Sequence, residues 1–448
     1  MDGKKFAVIG HPIAHTMSPF IHSRLFEAAG VNASYSVLDI PPQDLPARLE
    51  TLRGLSGFNA TIPHKQTIIP LLDSLDPKAA DFGSVNTVKN EGGRLCGFTT
   101  DGEGFTQALR AAGVGLSGHT AVLGAGGAAR AVAFECVLAG GEVTVAARPH
   151  SLPAAEHLAE DLRRLVPGAR VGSCRISEIP GPIDLLVNAT PSGMYPSTDA
   201  CPVEAETIRK ARCVFDAVYN PGETELLRRA RALGIRAVGG MGMLVRQAAA
   251  AQKLWFGAEF SEDCLAALEQ SAQFEMKKKF GNIILCGFMG SGKTTVGKLL
   301  AARTGRRFVD TDDAVTQREG MSVTDIFASR GEAYFRDCEA DAVRELSRQS
   351  SLIVAAGGGT LLNPENARTF GVNGVIVLLC ASLAAVGTRL RGDVSRPLLQ
   401  RPDREEAMRA LYEKRLPVYR AAAEFEVPAD GTPEETADAV LNALHSEV

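Results

Sequence analysis

"NIILCGFMGSGKTTVGKLL", Asn282 to Leu300, joins a short apolar run to a glycine-bearing turn and then to a helical pattern. Its middle, Gly287–Thr294, fits G-x-x-x-x-G-K-[ST], a loop whose backbone amides cradle phosphates. "IILC" supplies the strand and "TTVGKLLAA" the helix, so the motif stands where a nucleoside triphosphate can be gripped. There Lys293 reaches the β and γ oxygens and Thr294 faces Mg²⁺. A second glycine loop of different design, "AVLGAGGAARAVA", precedes it at Ala121–Ala133.

Two such loops fit a chain of 448 residues, which is longer than one hydrophobic core normally organises. Hydrophobic residues at 45% and charged residues at 22% describe an ordinary globular protein, and a net charge of −4 argues against nucleic-acid binding. The nine cysteines form no CxxC pair and point to a reducing compartment. "MDGKKFAVIGHPIAH" lacks the apolar core of a signal peptide, and "GVIVLLC" is too short to span a bilayer, so a cytoplasmic protein without membrane contact is expected.

Working outward, short β-rich runs alternate with helical patterns, the mark of a parallel α/β architecture. "FAVIG" reads as a strand, followed by a helix with Ser18 as N-cap and Pro19 at its first position. The pattern restarts at "TAVLGAGG" and again at Ile283. Between the last two sets "SAQFEMKKKFG" (Ser271–Gly281) shows three lysines and no apolar period, and reads as a linker. The final helix, "TPEETADAVLNAL", carries a capping box in Thr432 and Glu435.

The first loop, "GAGGAA" at Gly124–Ala129, follows a strand and opens a helix, as a dinucleotide fingerprint requires. The next strand, "EVTVAAR", ends in Arg148 with no acid, which suits a 2′-phosphate and therefore NADP. Around this loop "HPIAHTMSPFIH", "FNATIPHK", "GSVNTV", "TTDGEGF", "NATPSGM", "FDAVYNP" and "GMGMLVRQAA" stand in order, and residues 1 to about 270 resemble shikimate dehydrogenase. The resemblance implies that Thr16, Ser18 and Tyr219 hold the substrate carboxylate, while Asn59, Thr61, Asn86 and Gln247 bind ring hydroxyls. Lys65 and Asp101 become the catalytic pair, supplying the proton that an alkoxide needs after hydride addition. NADP would lie on Gly124, Ala125, Gly126, Gly127, Ala128 and Arg148, with Ala189, Thr190, Gly240 and Met243 beside it. Four residues depart from the family: Thr16 for Ser, Thr99 for Asn, and Ala147 and Pro149 in Ala147-Arg148-Pro149 for Asn-Arg-Thr.

The acceptor of the second loop's phosphate is read from the rest of the chain. "FVDTDD" places Asp310 and Asp312 one residue apart at a strand end, where alternation points them the same way. "YFRDCE", "AAGGGT", "RLRGDVSRPLL" and "EKRLPVY" add arginines and glycines that suit a small anionic acceptor. These motifs resemble shikimate kinase over about residues 280 to 448. The resemblance implies that Asp310 joins Thr294 at the metal and that Asp312 orients or deprotonates the hydroxyl. Arg336 and Arg415 would clamp the substrate carboxylate beside Gly358 and Gly359. ATP would lie on Gly287, Met289, Gly290, Ser291, Gly292, Lys293, Thr294 and Thr295, with Arg389 and the catalytic Arg396 on a mobile lid.

The expectation is an α/β chain with a two-lobed dehydrogenase, its Rossmann lobe at 101–237, followed by a P-loop kinase with a parallel sheet at 282–448. The substrate lobe takes 1–100, completed by 238–270, and 271–281 is the linker. Reduction of 3-dehydroshikimate by NADPH and phosphorylation of shikimate by ATP and Mg²⁺ follow from the two resemblances. A quinate-preferring dehydrogenase, motivated by Thr16, and a kinase-like module that only binds ATP are the competing readings. The partners are small molecules, and oligomeric state, a homodimer included, is left open.

Overall fold

The computed structural model describes residues 3–391 and 403–446. They fall into two compact units, Met1–Phe274 and Glu275–Val448. The first unit contains two sheets. The N-terminal sheet comprises β1 (Lys4–Gly10), β2 (Ala33–Asp39), β3 (Gly57–Ala60), β4 (Ser74–Leu75), β5 (Thr87–Glu91) and β6 (Arg94–Phe98), in the order β2-β1-β3-β5-β6-β4. Its first three strands are parallel, as the alternation of strand and helix predicts. The parallel pattern ends at β5, which runs antiparallel to both β3 and β6. The β5–β6 turn passes through Gly92 and Gly93 at φ 63° and 94°, backbone that L-residues rarely adopt.

The second sheet comprises β7 (His119–Leu123), β8 (Glu142–Ala147), β9 (Arg170–Arg175), β10 (Ile183–Asn188), β11 (Ala211–Asp216) and β12 (Arg236–Val238). The order β12-β11-β10-β7-β8-β9, all parallel, is the doubly wound arrangement. Its order reverses between β7 and β10, so the loops leaving those strands open a crevice, and the first glycine loop is one of them.

Two helices bring the halves of the site together. Helix Asp101–Ala111 leaves the first sheet, and helix Met241–Phe256 returns from the second. They cross at Gly104, where a Cβ would lie 2.7 Å from Cβ and N of Gln247 and from the Met243 carbonyl. At its far end Trp255 anchors the returning helix on the N-terminal sheet, packing 4.5 Å from Phe6 and donating its indole N–H to the Val88 carbonyl at 3.1 Å.

The second unit has a five-stranded parallel sheet, β13 (Asn282–Cys286), β14 (Arg307–Asp310), β15 (Leu352–Ala355), β16 (Gly374–Cys380) and β17 (Phe425–Pro428), in the order β14-β15-β13-β16-β17. β13 is central and wholly buried, which fits the unbroken apolar run "IILC". The Thr432–Glu435 capping box is present at the last helix. Ser271–Gly281, expected as a linker, holds the boundary between the two units and is helical, since helix Glu262–Phe280 runs through it. Leu265, Leu268, Ala272 and Met276 are buried at helical spacing, and Lys277 and Lys278 reach the carbonyls of Gly371 and Ser446. Among the described residues no helix is long and apolar enough to cross a membrane.

Because Gly104 leaves no room for a methyl group, Gly104→Ala has to part the two helices that carry Asp101 and Gln247. We expect a loss of about 1–3 kcal/mol in urea unfolding of the first unit, with the unfolding of the second unit unchanged.

Candidate active sites

In the first unit Lys65 lies in the short helix His64–Thr67, and Asp101 opens helix Asp101–Ala111. The Lys65 Nζ donates to Asp101 Oδ2 at 2.5 Å, and both side chains are largely buried. Asp101 Oδ1 accepts from Asn86 Nδ2 at 2.9 Å. The same amide nitrogen lies 2.9 Å from Thr100 Oγ1 and 3.0 Å from Gln247 Oε1, while its carbonyl oxygen accepts the Thr100 N–H. Asn86 is therefore the hub that fixes the pair, and four of the predicted residues, Lys65, Asn86, Asp101 and Gln247, meet here.

Asn59 is held differently from expectation. Its Nδ2 donates to the Asn86 carbonyl and to Thr87 Oγ1, both at 3.0 Å, and its Oδ1 accepts from Tyr35 OH at 2.7 Å. With both amide protons used, Asn59 has no free donor and can meet a ligand only through Oδ1, which Tyr35 and the His22 imidazole also approach. Tyr35 stacks on buried His22 at 4.2 Å, and burial pushes the His22 imidazole down to about 3, so the stack stays neutral. Tyr35, Thr87 and Thr100 do not figure among the residues predicted from the motifs. Thr87 and Thr100 lie inside "GSVNTV" and "TTDGEGF", but Tyr35 lies in a strand whose outward alternation gives no signal.

At the other edge Thr16 Oγ1 donates to Ser18 Oγ at 3.1 Å and accepts the Ser18 N–H at 3.2 Å. Tyr219 is hydrogen bonded to Thr16, and burial raises its phenol above the ordinary value. Ser18 is the first residue of its helix, with Met17 at the cap position. Thr61 follows β3, its methyl against Gly10.

Gly124 (φ 103°) turns the chain after β7, and the Cβ it lacks would lie 3.0 Å from Thr190 Cγ2. Thr190 is itself fixed, its N–H and hydroxyl both donating to Asn188 Oδ1. Ala125 is partly buried and Gly126 exposed, and Gly127 and Ala128 form the first turn of helix Gly127–Leu138. That amide-bearing end, beside an open crevice, suits a dinucleotide's phosphates. Gly240, whose Cβ would meet the Ala217 carbonyl at 2.4 Å, and buried Met243 close its floor. Arg148 is exposed at the end of β8, where it suits a 2′-phosphate.

In the second unit Gly287, Gly290 and Gly292 have φ of 145°, 73° and 97°. These left-handed turns curl the loop around Lys293, whose Nζ donates to the carbonyls of Gly287 and Phe288 at 2.9 and 3.1 Å. Met289 is partly buried, Ser291 is buried with no partner for its Oγ among the described residues, and Thr295 is exposed. Arg389 arches over the loop, donating to the Gly431 carbonyl at 2.9 Å. Arg396 and the rest of the expected lid, residues 392–397, lie outside the described residues.

Asp310 and Asp312 do not share a strand face. Asp310 ends β14 and caps the next helix, Thr311–Glu319, by accepting the Asp312 N–H at 3.0 Å, so Asp312 sits in the first helical turn. The chain bends because a carboxylate here satisfies an amide that would otherwise be orphaned. The outcome still separates two roles: Thr294 Oγ1 donates to Asp310 Oδ2 at 3.0 Å, while Asp312 turns to the glycine-rich loop. A Cβ on Gly357 would lie 2.4 Å from Asp312 Oδ1, and one on Gly359 would collide with the Arg336 guanidinium. Arg415 donates to the Gly358 carbonyl at 3.1 Å, as does Tyr419 at 2.5 Å. Glu339, buried, fixes Arg336 at 2.9 Å and accepts from Thr360 at 2.6 Å. Asp312, Arg336 and Arg415 thus surround one loop. Burial, with the charges of Asp310 and Glu339, pushes the Asp312 carboxyl up to about 6.

Comparisons with known proteins identify the families of the two units. The shikimate dehydrogenase substrate binding domain model matches residues 8–88. The NADP(+)-dependent shikimate dehydrogenase of Symbiobacterium thermophilum is 43% identical over 286 residues, covering 60% of this chain and 95% of that protein. The chain belongs to the shikimate dehydrogenase family. The shikimate kinase family model matches residues 289–445, so this shikimate dehydrogenase carries a shikimate kinase domain as its second unit. The Moorella thermoacetica enzyme is 42% identical over 265 residues, covering 56% of this chain and 88% of its own length. A Thermus thermophilus shikimate 5-dehydrogenase solved with NADP(H) and shikimate is 39% identical, with TM-score 0.55 over 60% of this chain and 99% of that one. A chorismate mutase/shikimate 5-dehydrogenase fusion from Clostridium acetobutylicum is 30% identical, with TM-score 0.54 over 62% of this chain and 99% of that one.

A carboxylate that titrates near 6 accepts a proton only above that value. Kinase kcat/KM, followed by ADP release from about pH 5 to 8, is expected to fall about tenfold per pH unit below about 6. Asp312→Asn should remove that limb along with about 100-fold or more of the activity.

Proposed function

We propose that this chain reduces 3-dehydroshikimate to shikimate with NADPH in its first unit and phosphorylates shikimate with ATP in its second. The observation that carries the reading is the match of chemistries. One site pairs a proton donor with a redox-dinucleotide crevice, and the other pairs a base and two arginines with a triphosphate loop. The hydroxyl formed at the first is the one phosphorylated at the second.

NADPH, when bound on the first glycine loop, would supply the hydride that leaves charge on the carbonyl oxygen. Lys65 polarises that oxygen through its ammonium and delivers the proton, while Asp101 aims the ammonium. Asn86 and Gln247 hold the aspartate, and Asn59 accepts from a ring hydroxyl. Thr16, Ser18 and Tyr219 form a hydroxyl cluster suited to a carboxylate. Arg148 supports NADP over NAD, since the residue that follows β8 is a cation and no acid stands at that end of the strand.

In the second reaction Lys293 and the loop amides seat the triphosphate. The Thr294 hydroxyl and the Asp310 carboxylate, 3.0 Å apart, form a hard-oxygen pair that fits Mg²⁺, which would screen the phosphate charge when bound. Asp312 accepts the proton of the attacking hydroxyl, and Arg336 and Arg415 hold the substrate's carboxylate in register with it. A module that merely bound ATP would have no use for this arginine pair. Nine free cysteines agree with a reducing cytoplasm as its setting.

Single substitutions separate the two activities. Lys65→Ala should lower NADPH oxidation by about 100-fold or more while sparing phosphorylation of added shikimate, and Lys293→Ala should do the reverse. Loss of both activities in either variant would contradict independent sites.

A further inference from the structure

Gly127 opens helix Gly127–Leu138 at the dinucleotide loop, yet its backbone is not left-handed. An L-residue could adopt its conformation, so the demand for glycine comes from a neighbour. A Cβ at Gly127 would lie 2.8 Å from Ser84 Oγ and 3.1 Å from both Cβ and Cδ of Lys65. Ser84 is fully buried, and among the described residues its hydroxyl has no partner. The Lys65 carbonyl accepts the Val85 N–H at 2.8 Å, so the backbones of Lys65 and Ser84–Val85 move together.

Two further contacts lock the same helix onto this surface. Arg130 donates to the Phe82 carbonyl at 2.6 Å, and Glu135 pairs with Lys78 at 2.5 Å. Gly127, the first residue of the cofactor helix, therefore lies against both Ser84 and the stem of Lys65, whose ammonium reaches Asp101.

We infer that Gly127 is a positioning residue for Lys65, resting on the dehydrogenase reading above. The helix end that faces the cofactor phosphates is also the wall against which the lysine stem lies. A single contact at the start of the cofactor helix thus sets the reach of the proton donor. A methyl group at Gly127 pushes the stem away from Asp101 without removing any amide from the phosphate loop.

The test uses the full chain carrying Gly127→Ala, alone and with Ser84→Ala. NADPH affinity by fluorescence titration should change less than about threefold, while kcat for shikimate oxidation falls about 30-fold or more, since small misplacements of a catalytic group are costly. Ser84→Ala, which removes the nearest clashing atom, should restore about fivefold or more of the lost kcat in the double variant. Crystal structures of wild type and Gly127→Ala should show the Lys65–Asp101 contact lengthened in the variant, a readout that does not need turnover. Retained kcat, loss of NADPH affinity in step with kcat, no recovery in the double variant, or an unmoved Lys65 would each overturn the inference. Wild-type chain that bound NADPH but did not oxidise shikimate would count against the dehydrogenase reading, and the crystallographic comparison would still decide the role of Gly127.

Discussion

An ammonium and a carboxylate 2.5 Å apart, Lys65 and Asp101, impose most of the order seen in the first unit. A largely buried ion pair is tolerable only when its remaining lone pairs and protons are also satisfied. Asn86 meets that need on the aspartate, and Thr100 and Gln247 in turn orient Asn86. Gln247 can reach it only because two helices cross tightly at Gly104, and the lysine stem is confined only because Gly127 lacks a side chain. Packing and catalysis are here the same set of contacts, with backbone proximity bought by two glycines.

The second unit solves a different electrostatic problem. Among the described residues Asp312 forms no ion pair, and the two carboxylates it faces, Asp310 and Glu339, outweigh the charges of Lys293 and Arg336. Its proton affinity is raised where that of a paired aspartate would fall. Such a group is a poor structural anchor and a suitable base for a hydroxyl. The arginines nearby are committed to fixed partners, Arg336 to Glu339 and Arg415 to the Gly358 carbonyl, which limits their motion before any acceptor arrives.

Much of this is visible in the sequence because glycine spacing, strand–helix alternation and short polar motifs are local. The two nucleotide loops and the strands that lead into them are read from contiguous residues. Three features were not readable that way. The lysines of "EMKKKF" suggest a linker, but two of them find carbonyl partners 94 and 168 residues away, and the helix is set by Leu265, Leu268, Ala272 and Met276 upstream. Asp310 and Asp312 look like strand neighbours, but a side-chain cap is favourable enough to end the strand between them. Tyr35 controls which atoms Asn59 can offer, and nothing in a half-exposed edge strand marks one tyrosine for that task.

The central claim is that one chain performs consecutive reactions whose shared intermediate carries the new hydroxyl from one site to the other. Its most direct measurement is the stoichiometry of a single reaction of the full chain with 3-dehydroshikimate, NADPH, ATP and Mg²⁺. NADPH oxidised, ADP released and shikimate 3-phosphate formed should reach a ratio of 1:1:1, with no ADP released when NADPH is withheld. NADPH oxidation that leaves shikimate unphosphorylated, or ADP release that does not depend on NADPH, would contradict the account.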